Sequence, residues 1–384
     1  MPPWEVAVVG VHNTVQARRL PEHDTMSITS AAAMGALADA GCTPADIDGV
    51  VGPTAAQFAH LARIGPVWHA RSVGIAALLD AVAAITAGLA TRVLILDGAA
   101  GQYVDRGSTA PWTRPRHEFT TSFGMFTAAE FALVARRHMI EYGTTPEAMA
   151  HVAAVIRTNG HRNPEAVYHG RGPFTAADVL ASRKIAEPFR LLDCATTSEG
   201  GSAVVVARAD RVTETPGVPV WILAGGLDRF AEAYQVSPTL GLGGRRRADL
   251  VNGWVGRRAA ESIWDRTGLR PADVDVCEFY DPFSFEIIRQ FEAFGFCGPG
   301  EGDAYVRTGA IEIGGATPVT TDGGTMSFSH TGSAQMLQRV IRGAQQLRGQ
   351  CGDLQVDGAE LALCSASGSG AFATELVLLG KDRP

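Results

Sequence analysis

Gly41-Cys42-Thr43-Pro44-Ala45-Asp46-Ile47-Asp48 returns later in the chain, without a gap, as Gly268-Leu269-Arg270-Pro271-Ala272-Asp273-Val274-Asp275. Each copy reads as a glycine helix stop followed by a Pro-Ala-Asp turn. Helical composition precedes both, over Ser27–Ala40 and over Arg247–Thr267. A second, looser pair follows in the same order. Gly74-Ile75-Ala76-Ala77-Leu78-Leu79 with Val82 parallels Gly332-Ser333-Ala334-Gln335-Met336-Leu337 with Val340. Each is followed by a strand, Val93–Leu96 in one half and Leu361–Leu363 in the other. Two matches in one order predict two similar α/β halves.

Working outward, the apolar runs Val6–Val9, Arg92–Asp97 (RVLILD) and Gly201–Ala209 read as strands buried on both faces, and Gly74–Gly88 as an apolar helix. Val220–Leu223 reads as the first strand of the second half. The stretch from about 101 to 190 breaks the alternation. It carries Pro, Arg, His and aromatic residues, then helical segments near Ala128–Tyr142 and Pro146–Asn159, and reads as a large insertion of the kind that builds binding sites. The halves are therefore expected at 1–214, with the insertion, and at 215–384.

The chain has 384 residues, 46% hydrophobic and 19% charged, with a formal charge of −7. That composition excludes a disordered or fibrous protein, and the acidic balance argues against duplex nucleic acid, whose binding rests on phosphate neutralisation. The six cysteines form no C-x-x-C pair, so zinc or dithiol chemistry is not expected. Isolated thiols and an N-terminus without a basic or apolar region predict a cytoplasmic protein. The longest apolar stretch contains Asp80 and Arg92, so no membrane span is expected.

Several short motifs carry a resemblance. They are Tyr142-Gly143-Thr144-Thr145, Asn163-Pro164, Leu192-Asp193-Cys194 with Glu199-Gly200-Gly201, and Tyr280-Asp281-Pro282-Phe283. Gly295-Phe296-Cys297, Gly300-Glu301-Gly302, Gly323-Gly324 with Ser327 and His330, and Gln346-Leu347-Arg348-Gly349 follow. In this order the chain resembles the thiolase superfamily, in the branch of the sterol-carrier-protein-like thiolases and lipid-transfer-protein aldolases. The resemblance implies an α/β fold of duplicated βαβαβ halves forming a layered α/β/α/β/α sandwich with a large inserted loop region. It also implies a homodimer acting on acyl-CoA thioesters, with coenzyme A as part of the substrate and no permanently bound cofactor or metal.

A working thiolase of this family carries a nucleophilic Cys just before the helix that begins here at Gly74, where the helix N-terminus lowers the thiol pKa. Aligning Gly74 places Arg71 or a neighbour at that position, and no Cys lies between Cys42 and Cys194. Ser72 is a substitute nucleophile only if a strong base adjoins it. The resemblance puts His330 where the family holds the thioester oxygen, although Ser329 and Thr331 replace the usual flanking Gly and Pro. Tyr280 stands at a proton-transfer position, and Cys364 at the second, acid/base cysteine. Asp281 and Gly332, together with Gly368 and Gly370 of the turn after Cys364, join Arg71 and Ser72 as the expected substrate-binding set. Arg106, Arg114, Arg116, Trp112 and His117 of the insertion suit CoA phosphates or a solvated loop equally.

Without the thiol, a thioester pocket still supports retro-aldol cleavage of a β-hydroxyacyl-CoA, because the charge passes to an enolate rather than to an acyl-enzyme. The aldolase relatives work with a small OB-fold partner subunit, so a partner is expected by analogy. An acyltransferase with another nucleophile, a non-catalytic acyl-CoA carrier and a structural subunit remain as alternatives.

Overall fold

The computed structural model describes residues 4–101, 127–229, 255–367 and 372–383. Its strands are β1 (Val6–Asn13), β2 (Gly49–Val51), β3 (Trp68–Ala70), β4 (Arg92–Ala99), β5 (Lys184–Ala186), β6 (Phe189–Arg190), β7 (Gly200–Arg208), β8 (Val220–Arg229), β9 (Val276–Glu278), β10 (Leu361–Ala366) and β11 (Ala373–Gly380). The main helices are α1 (Thr25–Asp39), α2 (Gly74–Thr86), α3 (Thr127–Tyr142), α4 (Pro146–Arg162), α5 (Arg257–Thr267), α6 (Ser284–Ala293) and α7 (Gln335–Leu347).

Nine strands form one sheet in the order β3-β2-β4-β7-β1-β8-β11-β10-β9. The pairing pattern occurs twice. β1 pairs antiparallel with β7, β7 antiparallel with β4, and β4 parallel with β2. In the same sense β8 pairs with β11, β11 with β10, and β10 with β9. The halves meet at Ala7↔Trp221 and Val8↔Val220. The repeated octapeptide has a local cause. Asp46 accepts the Thr43 backbone N–H at 2.8 Å and Asp273 accepts that of Arg270 at 2.7 Å, with proline opening each turn. Gly41 and Gly268, at φ +64° and +73°, end α1 and α5 in the left-handed region that only glycine enters freely.

α2 and α7 pack against each other and against apolar residues from both sets of strands, including Val93, Val204, Val276 and Val377. α1 covers the far side of β1, β4 and β7, and α5 that of β8 and β11. The result is a layered α/β sandwich with two helices at its centre. Helix α5 is shorter than the sequence pattern suggested. Gly256, at φ +100°, precedes its first residue, and 247–254 lie outside the described residues. β8 runs on to Arg229, because β11 supplies a full-length antiparallel partner.

The described part of the insertion adds α3, α4 and the β5–β6 hairpin, and no strand of the main sheet. α4 docks on the C-terminal half through Gly160, where an added Cβ would lie 2.3 Å from Ser327 Oγ. Three residues earlier, the guanidinium of Arg157 donates to the carbonyls of Leu192 (2.7 Å), Cys194 (2.8 Å) and Met326 (2.9 Å). Arg157 is only 1% exposed, and burial pulls its pKa down despite the nearby Tyr168. Replacing it with Met would strip three buried carbonyls of their donor. Arg157→Met should lose about 3 kcal/mol or more of stability in urea unfolding, and Lys should not restore it because the three carbonyls are met by three separate nitrogens of a planar guanidinium, a spread that one ammonium nitrogen cannot span.

Candidate functional site

The loops that carry the expected site residues are tied together by residues 194–199. Cys194 bridges to Phe283, and the Ala195 N–H donates to the Pro282 carbonyl at 2.9 Å. Thr196 N–H donates to the Thr325 carbonyl at 3.0 Å, and Ser198 N–H to the His330 carbonyl at 3.0 Å. The Tyr280 and His330 loops therefore share one brace. Tyr280 follows β9. Its N–H donates to Ser365 Oγ at 2.9 Å and its carbonyl accepts from Gln290 Nε2 at 2.7 Å.

His330 N–H donates to Ser198 Oγ at 2.7 Å, and Ser198 Oγ lies 2.7 Å from Ser329 Oγ. Ser329 in turn donates to Gln16 Oε1 at 2.7 Å. The imidazole Nδ1 is buried without a hydrogen-bond partner. Desolvation therefore pulls the His330 pKa down to about 4, leaving a neutral ring with a nitrogen free for a ligand atom.

Asp281 has no exposed surface. Its Oδ1 accepts from Thr325 N at 2.7 Å and its Oδ2 from Met326 N at 3.0 Å. These bonds shape the turn before His330. Cys364 departs from expectation. It lies in the apolar core with Gly343 of α7 against it, where a Cβ would sit 2.6 Å from Sγ, and burial pushes its thiol well above the ordinary range. Strand alternation explains this: Cys364 points toward the central helices, while the next residue, Ser365, reaches Tyr280.

Arg71 is exposed, and Ser72 Oγ donates to Asp80 Oδ2 at 2.5 Å, so the base beside this hydroxyl is an exposed carboxylate, weak toward an alcohol. Gly332 is half-buried at φ +66°, the turn into α7. Gly368, Gly370, Arg106, Trp112, Arg114, Arg116 and His117 lie outside the described residues.

The starts of α2 and α7 touch. A Cβ on Gly74 would lie 2.7 Å from Met336 Cβ and 3.0 Å from Glu375 Oε2. Neither helix has a side-chain cap of its own at Val73 or Ala334. Glu375 of β11 supplies one, accepting the Ala76 N–H at 3.0 Å. Asp97 of β4 accepts its own neighbour's amide, Gly98 N (2.8 Å), lies near Ser333, and leaves Oδ2 buried and unpartnered. Burial raises Asp97 to about 6. Sequence reading missed both carboxylates. The available signal was one acid inside each of two otherwise apolar strands, RVLILDGA and ATELVLLG.

All six cysteines are described, and desolvation, the largest cause in each, raises every thiol: Cys42 modestly, Cys194, Cys297 and Cys351 to about 12, and Cys277 and Cys364 well beyond the ordinary value.

Two outcomes follow from these environments. Native protein treated briefly with iodoacetamide at neutral pH should show no alkylation of Cys277 or Cys364 by mass spectrometry, and labelling after unfolding. For His330 the folded pKa of about 4 lies below the ordinary 6.5. Between those values the unfolded chain binds a proton that the native state refuses. Its contribution to stability is therefore complete above about 6.5 and is lost as pH falls toward about 4. Urea midpoints should fall less steeply across that window in His330→Gln than in the parent.

The Thiolase C-terminal domain-like family matches residues 245–381. An acetyl-CoA acetyltransferase of Methanothermobacter thermautotrophicus is 31% identical over 96% of this chain and 98% of its own length. The 17-hydroxy-3-oxo-4-pregnene-20-carboxyl-CoA lyase of Mycobacterium tuberculosis is also 31% identical, over 97% of this chain and 99% of its own. The solved Ltp2-ChsH2(DUF35) aldolase superposes with a TM-score of 0.86 at 27% identity, covering 100% of this chain and 99% of that one. The chain belongs to the thiolase superfamily, in the branch of sterol-carrier-protein-like thiolases and steroid side-chain-cleaving aldolases.

Proposed function

We propose that the protein is a thiolase-like carbon–carbon lyase that cleaves a β-hydroxyacyl-CoA with a steroid or lipid side chain by a retro-aldol reaction. The observation that carries this reading is the state of the thiols. The α2 start reads Arg71-Ser72-Val73-Gly74, and every cysteine in the chain is held toward its protonated form by burial. A thiol is a nucleophile only as thiolate. Acyl-enzyme chemistry thus lacks its reagent, and this weighs against an acyltransferase even though one of the similar proteins bears that name.

In the proposed reaction a base takes the proton of the β-hydroxyl and the Cα–Cβ bond breaks. A ketone or aldehyde leaves, and the electron pair passes to the thioester enolate. His330, neutral and carrying a buried nitrogen without a protein partner, holds the thioester oxygen. Tyr280 transfers the proton that converts the enolate to the shorter acyl-CoA. Coenzyme A enters as part of the substrate, and no resident cofactor takes part.

The same reading takes residues 1–214 and 215–384 as the two halves, supported by the repeated pairing pattern. It includes a homodimer, as the family resemblance implies. It includes an OB-fold partner subunit, supported by the Ltp2-ChsH2(DUF35) aldolase. It also assigns a cytoplasmic location; among the described residues no helix is long and apolar enough to cross a membrane.

The protein, purified with its candidate partner and given a tertiary β-hydroxyacyl-CoA, should release a ketone and a shortened acyl-CoA with no acylated side chain detectable by mass spectrometry. Tyr280→Phe and His330→Ala should each slow cleavage by about 100-fold or more. Full cleavage by both variants would remove these role assignments.

A further inference from the structure

The retro-aldol reading gives one ring nitrogen of His330 the task of meeting the thioester oxygen, so the position of the ring decides how well the enolate is held. Residue 330 lies in no helix and in no strand of the main sheet. Both of its main-chain groups turn to one residue. Its N–H donates to Ser198 Oγ at 2.7 Å, and its carbonyl accepts from Ser198 N at 3.0 Å. The residue that follows is Thr331, whose backbone φ no ring constrains. Placement of the imidazole therefore depends on what holds Ser198.

Counting donors fixes the direction of every bond around it. Gln16 is 7% exposed, and its Nε2 donates to the Thr14 carbonyl at 2.8 Å and to the Gly201 carbonyl at 3.4 Å. Two carbonyls at one end of the amide hold its NH2 there and leave the oxygen at the other end. Gln16 Oε1 is thus an acceptor, and Ser329 Oγ, 2.7 Å away, gives it a proton. A hydroxyl has one proton to give, so Ser198 is the donor in the 2.7 Å contact between the two serine oxygens. The chain runs one way: His330 N–H to Ser198, Ser198 to Ser329, Ser329 to Gln16, and Gln16 to the backbone of the N-terminal half. Ser198 and Ser329 are 0% and 1% exposed, so bulk water does not stand in for a missing link. Gln338 of α7 donates to the same Gln16 oxygen at 3.3 Å. The neighbouring chain leaves room for this reach, since a Cβ on Gly200 would fall 2.1 Å from Gln16 Oε1.

Resting on the reading of His330 above, we propose that Gln16 is a positioning residue for this reaction: its side-chain oxygen ends the hydrogen-bond chain that sets the His330 backbone and so aims the ring at the thioester oxygen. Gln16 acts through Ser329 and Ser198. Without its oxygen, Ser329 turns its proton to Ser198, the Ser198 proton loses its acceptor, and a buried hydroxyl is left unpaired. Movement of residues 329–331 relieves that cost and carries the ring with it. A displaced ring loses more of its hold on the charged enolate than on the bound substrate, so the loss falls on kcat.

Gln16→Leu removes the acceptor at similar volume, and Ser329→Ala removes the donor. Each, tested as the full chain with its partner, should lower kcat for the tertiary β-hydroxyacyl-CoA about 10-fold with KM little changed. The double variant should be no slower than the slower single one, because both changes break the same link. Isotope-labelled imidazole NMR signals of His330, assigned by their loss in His330→Gln, should move in both single variants. Ser329→Ala, the gentler change, should keep its thermal midpoint within about 4 °C of the parent's. Parent kcat in both single variants overturns the proposal. Losses that multiply in the double variant do so too, as does a slowed Ser329→Ala whose His330 signals stay in place. A parent enzyme that cleaves no β-hydroxyacyl-CoA would instead defeat the reading of the reaction; the His330 signals then decide the tether by themselves, and unmoved signals sink it.

Discussion

Two helix N-termini meet at the centre of this molecule. α2 and α7 come into contact at Gly74 and Met336, and neither has a side chain of its own to cap its first amides. Adjacent positive dipole ends call for negative charge or an acceptor nearby. The sheet supplies them from both halves: Glu375 from β11 bonds an α2 amide, and Asp97 from β4 lies near Ser333 just ahead of α7. The meeting explains why Gly74 occupies the first position of α2, since a Cβ there would strike Met336.

Around that point the fold spends charge on rigidity. Arg339 of α7, with no exposed surface, makes paired 2.9 Å bonds to Asp322 and lies 3.5 Å from Glu278. Arg342 of the same helix donates to Thr321 at 2.8 Å. The segment before the His330 loop is thus held to α7, and Asp281 fixes the turn that follows it. From the other side, Arg157 of the insertion binds carbonyls in both bracing segments. A buried guanidinium or carboxylate is tolerable only when its partners are complete. These residues therefore act as fixed struts, and the neutral His330 is left as the ring with an unspent nitrogen.

The fold separates two chemistries by solvation. A thiol in apolar surroundings is held protonated, and all six cysteines here are raised by burial. Covalent thiol catalysis therefore finds no thiolate among these cysteines, whereas proton transfer to and from an enolate needs none.

Much of the scaffold could be read from residues alone. The two Gly-x-x-Pro-Ala-Asp turns and the apolar runs at 92–97 and 201–209 announced a duplicated α/β protein, because turn chemistry and strand burial are local properties. The missing thiol ahead of Gly74, and the placing of Tyr280 and His330 on loops beside strand and helix ends, came from the sequence as well. Whether a side chain faces the site or the core did not. Cys364 and Ser365 are neighbours in sequence, yet strand alternation sends one into apolar packing and the other to the Tyr280 backbone. Asp281 is next to Tyr280 in sequence, yet only the fold brings the Thr325 and Met326 amides onto its carboxylate. Glu375 and Asp97 acquire meaning only when β11, β4 and the two central helices come together from distant parts of the chain. Residue chemistry and local turns are written in the sequence, whereas burial, partner and protonation state belong to the long-range packing that tertiary structure alone creates.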